Sequence, residues 1–277
     1  MQKSKLLVAV LGALCAMPVF AADAVIPSHK EGIHVIPETA KYTVTSNVGL
    51  VSNYVFRGIT QTSGNPAIQG GMDYAHAGGF YAGLWGSNVS WIADSGAVAT
   101  GSVTMELDTY LGYKNSFATD LGYDVGAVRY NYLGDYTAAP GVAKADTAEV
   151  YAAISYKFLT AKYSYGVLDQ FLTMKDAKGT NYIELNASYT IPDTSYTLSA
   201  HVGKQTYTGV NADALAAAGT PATYTDYKVG VAKDFSGYIL GLSHTGTDAK
   251  DGGFYTYAGK GGNWGRSMTA VSLTRSF

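Results

Sequence analysis

Cysteine is nearly missing from this 277-residue chain: the one present, Cys15, lies in an apolar run near the N-terminus. That excludes a disulfide scaffold, so an exported protein of this composition must draw its stability from a large core or from a membrane. A basic excess is missing too. Lys and Arg number 19 against 21 Asp and Glu, a net charge of -2, which leaves no footprint for nucleic acid. After residue 21, no apolar run approaches the roughly 18 residues that a membrane helix needs. If the chain enters a membrane, it must do so as strands.

The first residues, MQKSKLLVAVLGALCAMPVFAA, set Lys3 and Lys5 ahead of an apolar stretch from Leu6 to Ala16 and end in a cleavage-like Val19, Phe20, Ala21. This order predicts a secretory signal peptide over residues 1–21, too short to anchor the chain. Leu14 precedes Cys15 where a lipid-modified cysteine would follow a small residue. Without residues 1–21 the balance is 17 basic against 21 acidic residues, net -4. Residues 22–40 contain Pro27 and Pro37 and show no periodicity, and are expected to be a periplasmic extension. Residues 41–277 are expected to be the folded unit.

Glycine (33) and tyrosine (23) are plentiful, a composition poor for helices and rich in residues that favour strands and membrane interfaces. Alternation is the strongest pattern. From Tyr42 to Phe56 the even positions are mostly apolar with aromatic ends, while the odd positions from Thr43 to Arg57 are mostly small or polar. The same two-faced pattern recurs at 68–74, 103–112, 149–158, 159–166, 182–191, 196–202, 227–231 and 238–243, and less cleanly at 80–89, 121–132 and 268–277. The total of about twelve strands suits a single-chain bacterial barrel.

Connections alternate in length along the chain. ITQTSGNP, IADSGAVATG, GDYTAAPGVAKADT, LDQFLTMKDAKG, YTGVNADALAAAGTPATYT and TGTDAKDGGFYTYAGKGGNWGR are long; HAGG, KNSFATD, KFLT, PDTS and KDFSG are short. Long loops at one end and short turns at the other predict an all-β fold, a transmembrane antiparallel up-and-down β-barrel with short periplasmic turns. A soluble β-sandwich has no reason to segregate loop lengths by end. A helical turn is expected at Ala212 to Ala218.

Charge placement follows the same phase. Asp73, Glu106, Asp108, Lys157, Lys162, Glu184 and Lys228 fall on the polar face, as expected when a basic residue facing lipid at mid-membrane costs about 2–4 kcal/mol. Arg129 falls on the apolar phase, and a bulge near Gly126 is expected to turn it into the lumen and Val128, Tyr130 and Tyr132 outward. Arg275, also out of phase, lies at the terminal rim, where a long side chain reaches water. Arg57 is expected on the interior phase at the end of the first strand, with Tyr54 and Phe56 toward lipid and Asp73 as a nearby acid.

The stretch SNYVFRGITQTSGNPAIQGGMDYAHAGGFYAGLWGSNV, residues 52–89, resembles the bacterial TorF porin family, and ELDTYLGYK, YDVGAVRYNYLG and EVYAAISYKF resemble its further blocks in the same order. The resemblance covers most of the chain after residue 21 and implies an outer-membrane barrel with channel activity; it carries over no substrate. The end, VSLTRSF, resembles a terminal outer-membrane signal, with Val271, Leu273 and Phe277 on one face, although Arg275 stands where an apolar or aromatic residue is usual.

Other chemistries lack their residues. The glycines at 58–71 are not followed by a Lys-Ser/Thr pair, so they form no phosphate loop. No close His/Asp/Glu cluster suggests a metal, and no cofactor is expected. His201 and His244 show no paired nucleophile, and an outer-membrane hydrolase would need one within about 3 Å. The constriction candidates are therefore Arg57, Arg129, Lys157, Lys162 and Lys228 facing Asp73, Glu106, Asp108, Glu149 and Glu184. The expectation is a monomeric, non-enzymatic, porin-like channel for small polar solutes, with membrane lipid around it and barrel-assembly machinery engaging its C-terminal strand. A structural or adhesive barrel with a plugged lumen is the alternative.

Overall fold

The computed structural model describes residues 41–257 and 262–277. The expected signal peptide and the 22–40 extension lie outside the described residues. Twelve strands close into one antiparallel barrel. In chain order they are β1 Tyr42–Val51, β2 Ala67–His76, β3 Phe80–Asn88, β4 Met105–Ala118, β5 Leu121–Leu133 and β6 Thr147–Tyr156. They continue as β7 Leu159–Gly166, β8 Asn181–Thr190, β9 Tyr196–Thr206, β10 Tyr224–Phe235, β11 Tyr238–Thr247 and β12 Met268–Ser276. Each pairs with its neighbours in sequence, and β1 closes on β12 from Asn47 opposite Ser276 to Val51 opposite Ser272. Closure pairs every strand on both sides over part of its length, the condition for strands to cross lipid.

The connections separate by end, as the sequence predicts. Residues 52–66, 89–104, 134–146, 167–180, 207–223, 248–257 and 262–267 lie at one end and 77–79, 119–120, 157–158, 191–195 and 236–237 at the other. The long loops carry short elements: α1 (Trp91–Asp94), α2 (Val210–Ala217) and small hairpins such as Val55–Phe56 with Ile59–Thr60. α2 occupies the expected helical turn. Among the described residues no helix is long and apolar enough to cross a membrane.

The outer surface is apolar. Leu50, Ile68, Leu111, Ile154, Ile183, Leu185 and Val229 all point outward and are exposed, a band that would be a liability in water and is solvent-matched in lipid. At the short-turn rim it ends in aromatic residues: Tyr42, Phe80, Tyr113, Phe117, Tyr156, Phe158, Tyr189, Tyr196, Phe235 and Tyr238. Their amphipathic rings suit the headgroup level.

Inside, the two most distinctive residue types of the composition are partners. Tyr110 lies across Gly83, where a Cβ would come within 2.6 Å of its ring, and Tyr81, Tyr151 and Tyr182 cover Gly112, Gly126 and Gly203 in the same way. Glycine leaves the space and tyrosine fills it, so the rings lie flat along the wall and the Tyr81, Tyr110 and Tyr182 hydroxyls reach the wall carboxylates Asp124, Asp73 and Asp226.

The expected bulge near Gly126 is absent. Registry between β4 and β5 runs unbroken past Gly112 opposite Gly126 and shifts only between Ser116 and Ala118. Val128, Tyr130 and Tyr132 are accordingly buried inside, and Arg129 faces outward.

Candidate functional site

The first strand ends at Val51, well short of the alternation in the sequence. Beyond it, Ser52 N donates to Val271 O and the chain turns into the barrel. Asn53, Thr60 and Thr62 hold this turn: Thr60 Oγ1 donates to Asn53 Oδ1 at 2.5 Å, and Thr62 Oγ1 to Asn65 O at 2.6 Å. Residues 52–66 therefore form a strap across the long-loop half of the lumen. Tyr54, expected at the lipid boundary, is instead 1% exposed and packs on Trp85 with ring centroids 5.5 Å apart. Phe56 likewise meets Tyr130 inside, at 5.7 Å. Folding inward removes both rings from water, which outweighs continuation of a period-two pattern that has no strand partner left.

Arg57 and Gly58 form the tip of the strap hairpin, with φ of 48° and 77°. Positive φ at both central residues is the two-residue hairpin turn whose twist matches its strands. The tip presses on the far wall: a Cβ on Gly58 would lie 2.5 Å from Thr247 Cγ2 and 2.7 Å from Asp226 Cβ. Glycine is thus required there by conformation and by space.

The Arg57 guanidinium is fixed from several walls. Nη1 donates to Glu149 Oε1 at 3.0 Å and to Gln205 Oε1 at 2.8 Å, and Nη2 to Glu149 Oε2 at 2.8 Å. Tyr130 donates to the same carboxylate at 3.0 Å. The guanidinium carbon lies 4.2 Å from the ring centre of Tyr182 and 4.8 Å from that of Phe56, while Tyr224 donates to Arg57 O at 2.9 Å. Arg57 and Glu149 are 8% and 1% exposed, so this bidentate pair is shielded from salt and water.

Two further networks line the interior. His201 Nε2 meets Asp226 Oδ1 at 2.9 Å and its Nδ1 meets Asn186 Oδ1 at 2.7 Å; Tyr182 donates to Asp226 Oδ2 at 2.8 Å. Lys162 Nζ lies 4.0 Å from Glu184 Oε1 and 4.6 Å from the centre of the Tyr151 ring. Adjoining the Lys162 pair, on β2 to β6, Tyr110 donates to Asp73 and Tyr81 to Asp124, each at 2.6 Å, and Tyr81 and Tyr151 share a short hydroxyl–hydroxyl hydrogen bond. Tyr132 donates to Glu106 Oε1 at 3.3 Å. Asp108 is fully buried, and neither of its carboxylate oxygens has a hydrogen-bond partner among the described residues.

Of the ten charges expected in the lumen, the structure places eight inside. Arg57, Glu149, Lys162 and Glu184 come together with Lys228 further along the wall, and Asp73, Glu106 and Asp108 lie on the β2 and β4 side. Two are not in the lumen. Arg129 is half-exposed on the outer surface near the long-loop rim, 3.8 Å from Asp146, because the ladder has no bulge to turn it. Lys157 stands exposed in the tight turn between β6 and β7, at φ 55°, with its ammonium 5.3 Å from the Tyr156 ring centre. The acid that Arg57 takes is Glu149 and not Asp73. Val271, Leu273 and Phe277 share the exposed outer face of the last strand, and Arg275 lies beside them, bonded to Ser236 O at 2.9 Å.

Gln205, Asp226 and His201 complete the site and were not among the expected residues. Gln205 and Asp226 lie just beyond the ends of the clean alternation at 196–202 and 227–231, and extending each strand by three residues and one residue would have placed them inside.

Comparisons with known proteins follow the geometry. No curated protein matches the chain in sequence. Solved structures to which the chain is similar include a KdgM porin at 9% identity, covering 85% of this chain and 99% of that one with a TM-score of 0.48; the CymD monoaromatic hydrocarbon channel at 11%, 86%, 88% and 0.45; and the outer membrane protein OprD from Pseudomonas aeruginosa at 13%, 84%, 64% and 0.38. The family model described as "Bacterial protein of unknown function (Gcw_chp)" matches residues 37–277, and the chain belongs to that family.

Proposed function

We propose that this protein is an outer-membrane channel through which small polar solutes diffuse passively, with the 52–66 strap as its constriction. The inner wall carries the reading. Thr45, Asp73, Asp124, Ser155 and Asn186 line it toward the short-turn end, and each stays partly exposed inside the barrel. Such a surface suits water and hydrogen-bonding solutes and would be wasteful in a barrel with a dry core. The resemblance of residues 52–89 to TorF porins points the same way. Interior carboxylates (Asp73, Glu106, Asp108, Asp124, Glu149, Glu184, Asp226) outnumber the cations Arg57, Lys114, Lys162 and Lys228, so the channel prefers cations. Short turns face the periplasm, Val271, Leu273 and Phe277 present the assembly signal, and the protein acts as a monomer.

A plugged structural barrel is the second reading, favoured by the number of walls that hold Arg57. A hydrolase is disfavoured because both ring nitrogens of His201 are engaged, by Asp226, Tyr182 and Asn186, and His244, whose Nδ1 meets Thr269 Oγ1 at 3.0 Å, lies exposed on the outer face. Swelling of liposomes carrying the refolded protein, in uncharged sugars of increasing size, separates the first two. Swelling that slows with solute size supports the channel; a folded barrel that admits none of them is plugged.

A further inference from the structure

Above the strap, the long loops line a small, partly open cleft with a different chemistry from the lumen. Its walls come from the strap (Phe56, Ile59), α1 (Trp91) and the last two long loops (Tyr207, Tyr257, Trp264). Among the described lining residues none is Asp, Glu, Lys, Arg or His, so none of these side chains compensates a charged occupant.

Four polar side chains of the lining are committed to the protein, while Trp91 Nε1 is buried without a hydrogen-bond partner among the described residues. Tyr224 donates to Arg57 O and Tyr255 to Ala222 O, each at 2.9 Å. Gln61 Nε2 donates to Ile59 O at 3.0 Å; Gln205 accepts from Arg57 at 2.8 Å and donates to Asn181 O at 3.1 Å. A sugar could stack on its rings, but most of its hydroxyls would lose water without gaining partners. A flat ring without hydroxyls loses little on entry. The walls already pack in the geometry that such a ring would extend: Tyr257 meets Trp264 edge-on at 4.7 Å, and Phe254 meets Tyr255 at 4.9 Å.

We infer that this loop cleft is a binding site for an uncharged, planar aromatic or heteroaromatic small molecule. The inference stands apart from the channel reading, because binding is measured without current and would persist in a barrel that conducts nothing. Two of the three tryptophans, Trp91 and Trp264, line the cleft, whereas Trp85 packs on Tyr54 within the barrel. Ligand binding is therefore visible in intrinsic fluorescence.

The test uses the refolded full-length protein in detergent and caffeine as the probe, a flat, neutral, water-soluble ring system without hydrogen-bond donors. Methyl glucoside and benzoate serve as comparators. Saturable quenching by caffeine is expected, lost when Trp91 and Trp264 are both changed to Phe and retained in Trp85→Phe, with ligand-observed NMR giving the same dissociation constant. Thr173→Phe, which fills the cleft, is expected to weaken caffeine at least tenfold; if that variant does not fold, Tyr257→Ala removes a wall to the same end. No saturable binding of caffeine, equal or tighter binding of methyl glucoside or benzoate, or an unchanged dissociation constant in the folded cleft variant would each overturn the assignment.

Discussion

Arg57, at the tip of a hairpin folded into the barrel, holds Glu149 on the wall with both terminal guanidinium nitrogens, at 3.0 and 2.8 Å, across 92 residues of sequence. Removing one member of such a buried pair costs about 3–5 kcal/mol, because the other charge is left unpaired. The barrel does not need the strap to close, since its ladders are complete without residues 52–66. Arg57→Ser and Glu149→Gln are therefore expected to release the strap while the barrel stays folded. Protease nicking within 52–66, with heat-modifiable gel migration retained, is the expected result; the paired change R57Q/E149Q should be milder than the sum of the single changes.

Position relative to the wall decides what a charge does. Arg129 lies outside and meets Asp146 at 3.8 Å with both partners well exposed, so Arg129→Leu should change stability by at most about 1 kcal/mol and leave ion selectivity as it is. Lys228→Ser removes a lumen cation and should raise the preference for cations. Reversal potentials across a salt gradient, measured for both variants, check the contrast.

The glycine–tyrosine contacts predict intolerance of even one added carbon. Gly83→Val would drive a side chain into the Tyr110 ring, which a Cβ already approaches at 2.6 Å. Overpacking of this kind costs about 1–3 kcal/mol. Denaturant midpoints in detergent should fall for Gly83→Val and recover in part when Tyr110 is changed to Ala in the same chain.

The outer face should show the depth profile of a bilayer. Leu185, midway along β8 and paired with Ala161 and Val202, is placed for a cost of about 2–4 kcal/mol on replacement by Arg. Tyr189, near the short-turn rim, should cost about 0–1 kcal/mol for the same change. Equal penalties in reversible unfolding from liposomes would contradict the lipid assignment.

The barrel was legible in the sequence because its physics is periodic: a residue such as Leu185 must face lipid and Glu184 must not, and that requirement repeats along every strand. The turns were legible for a related reason, since tight turns and long loops differ in length whatever their contacts. The strap was not. Tyr54 and Phe56 continue the alternation of β1, and only the loss of strand partners beyond Val51 sends them inward. Arg129 misled for the opposite reason: an outward arginine seemed to demand a bulge, yet the ladder stays regular and the side chain finds Asp146 at the rim. Partners such as Arg57 and Glu149 meet through the closed shape of the barrel, and neither local pattern nor spacing carries that information.

Single-channel recording in a planar bilayer tests the central claim most directly. The wild-type protein should give small, cation-preferring steps, and Arg57→Ser should give larger, noisier ones as the strap leaves the lumen. A correctly folded protein that passes no current in either form, across salts and voltages, would contradict the channel.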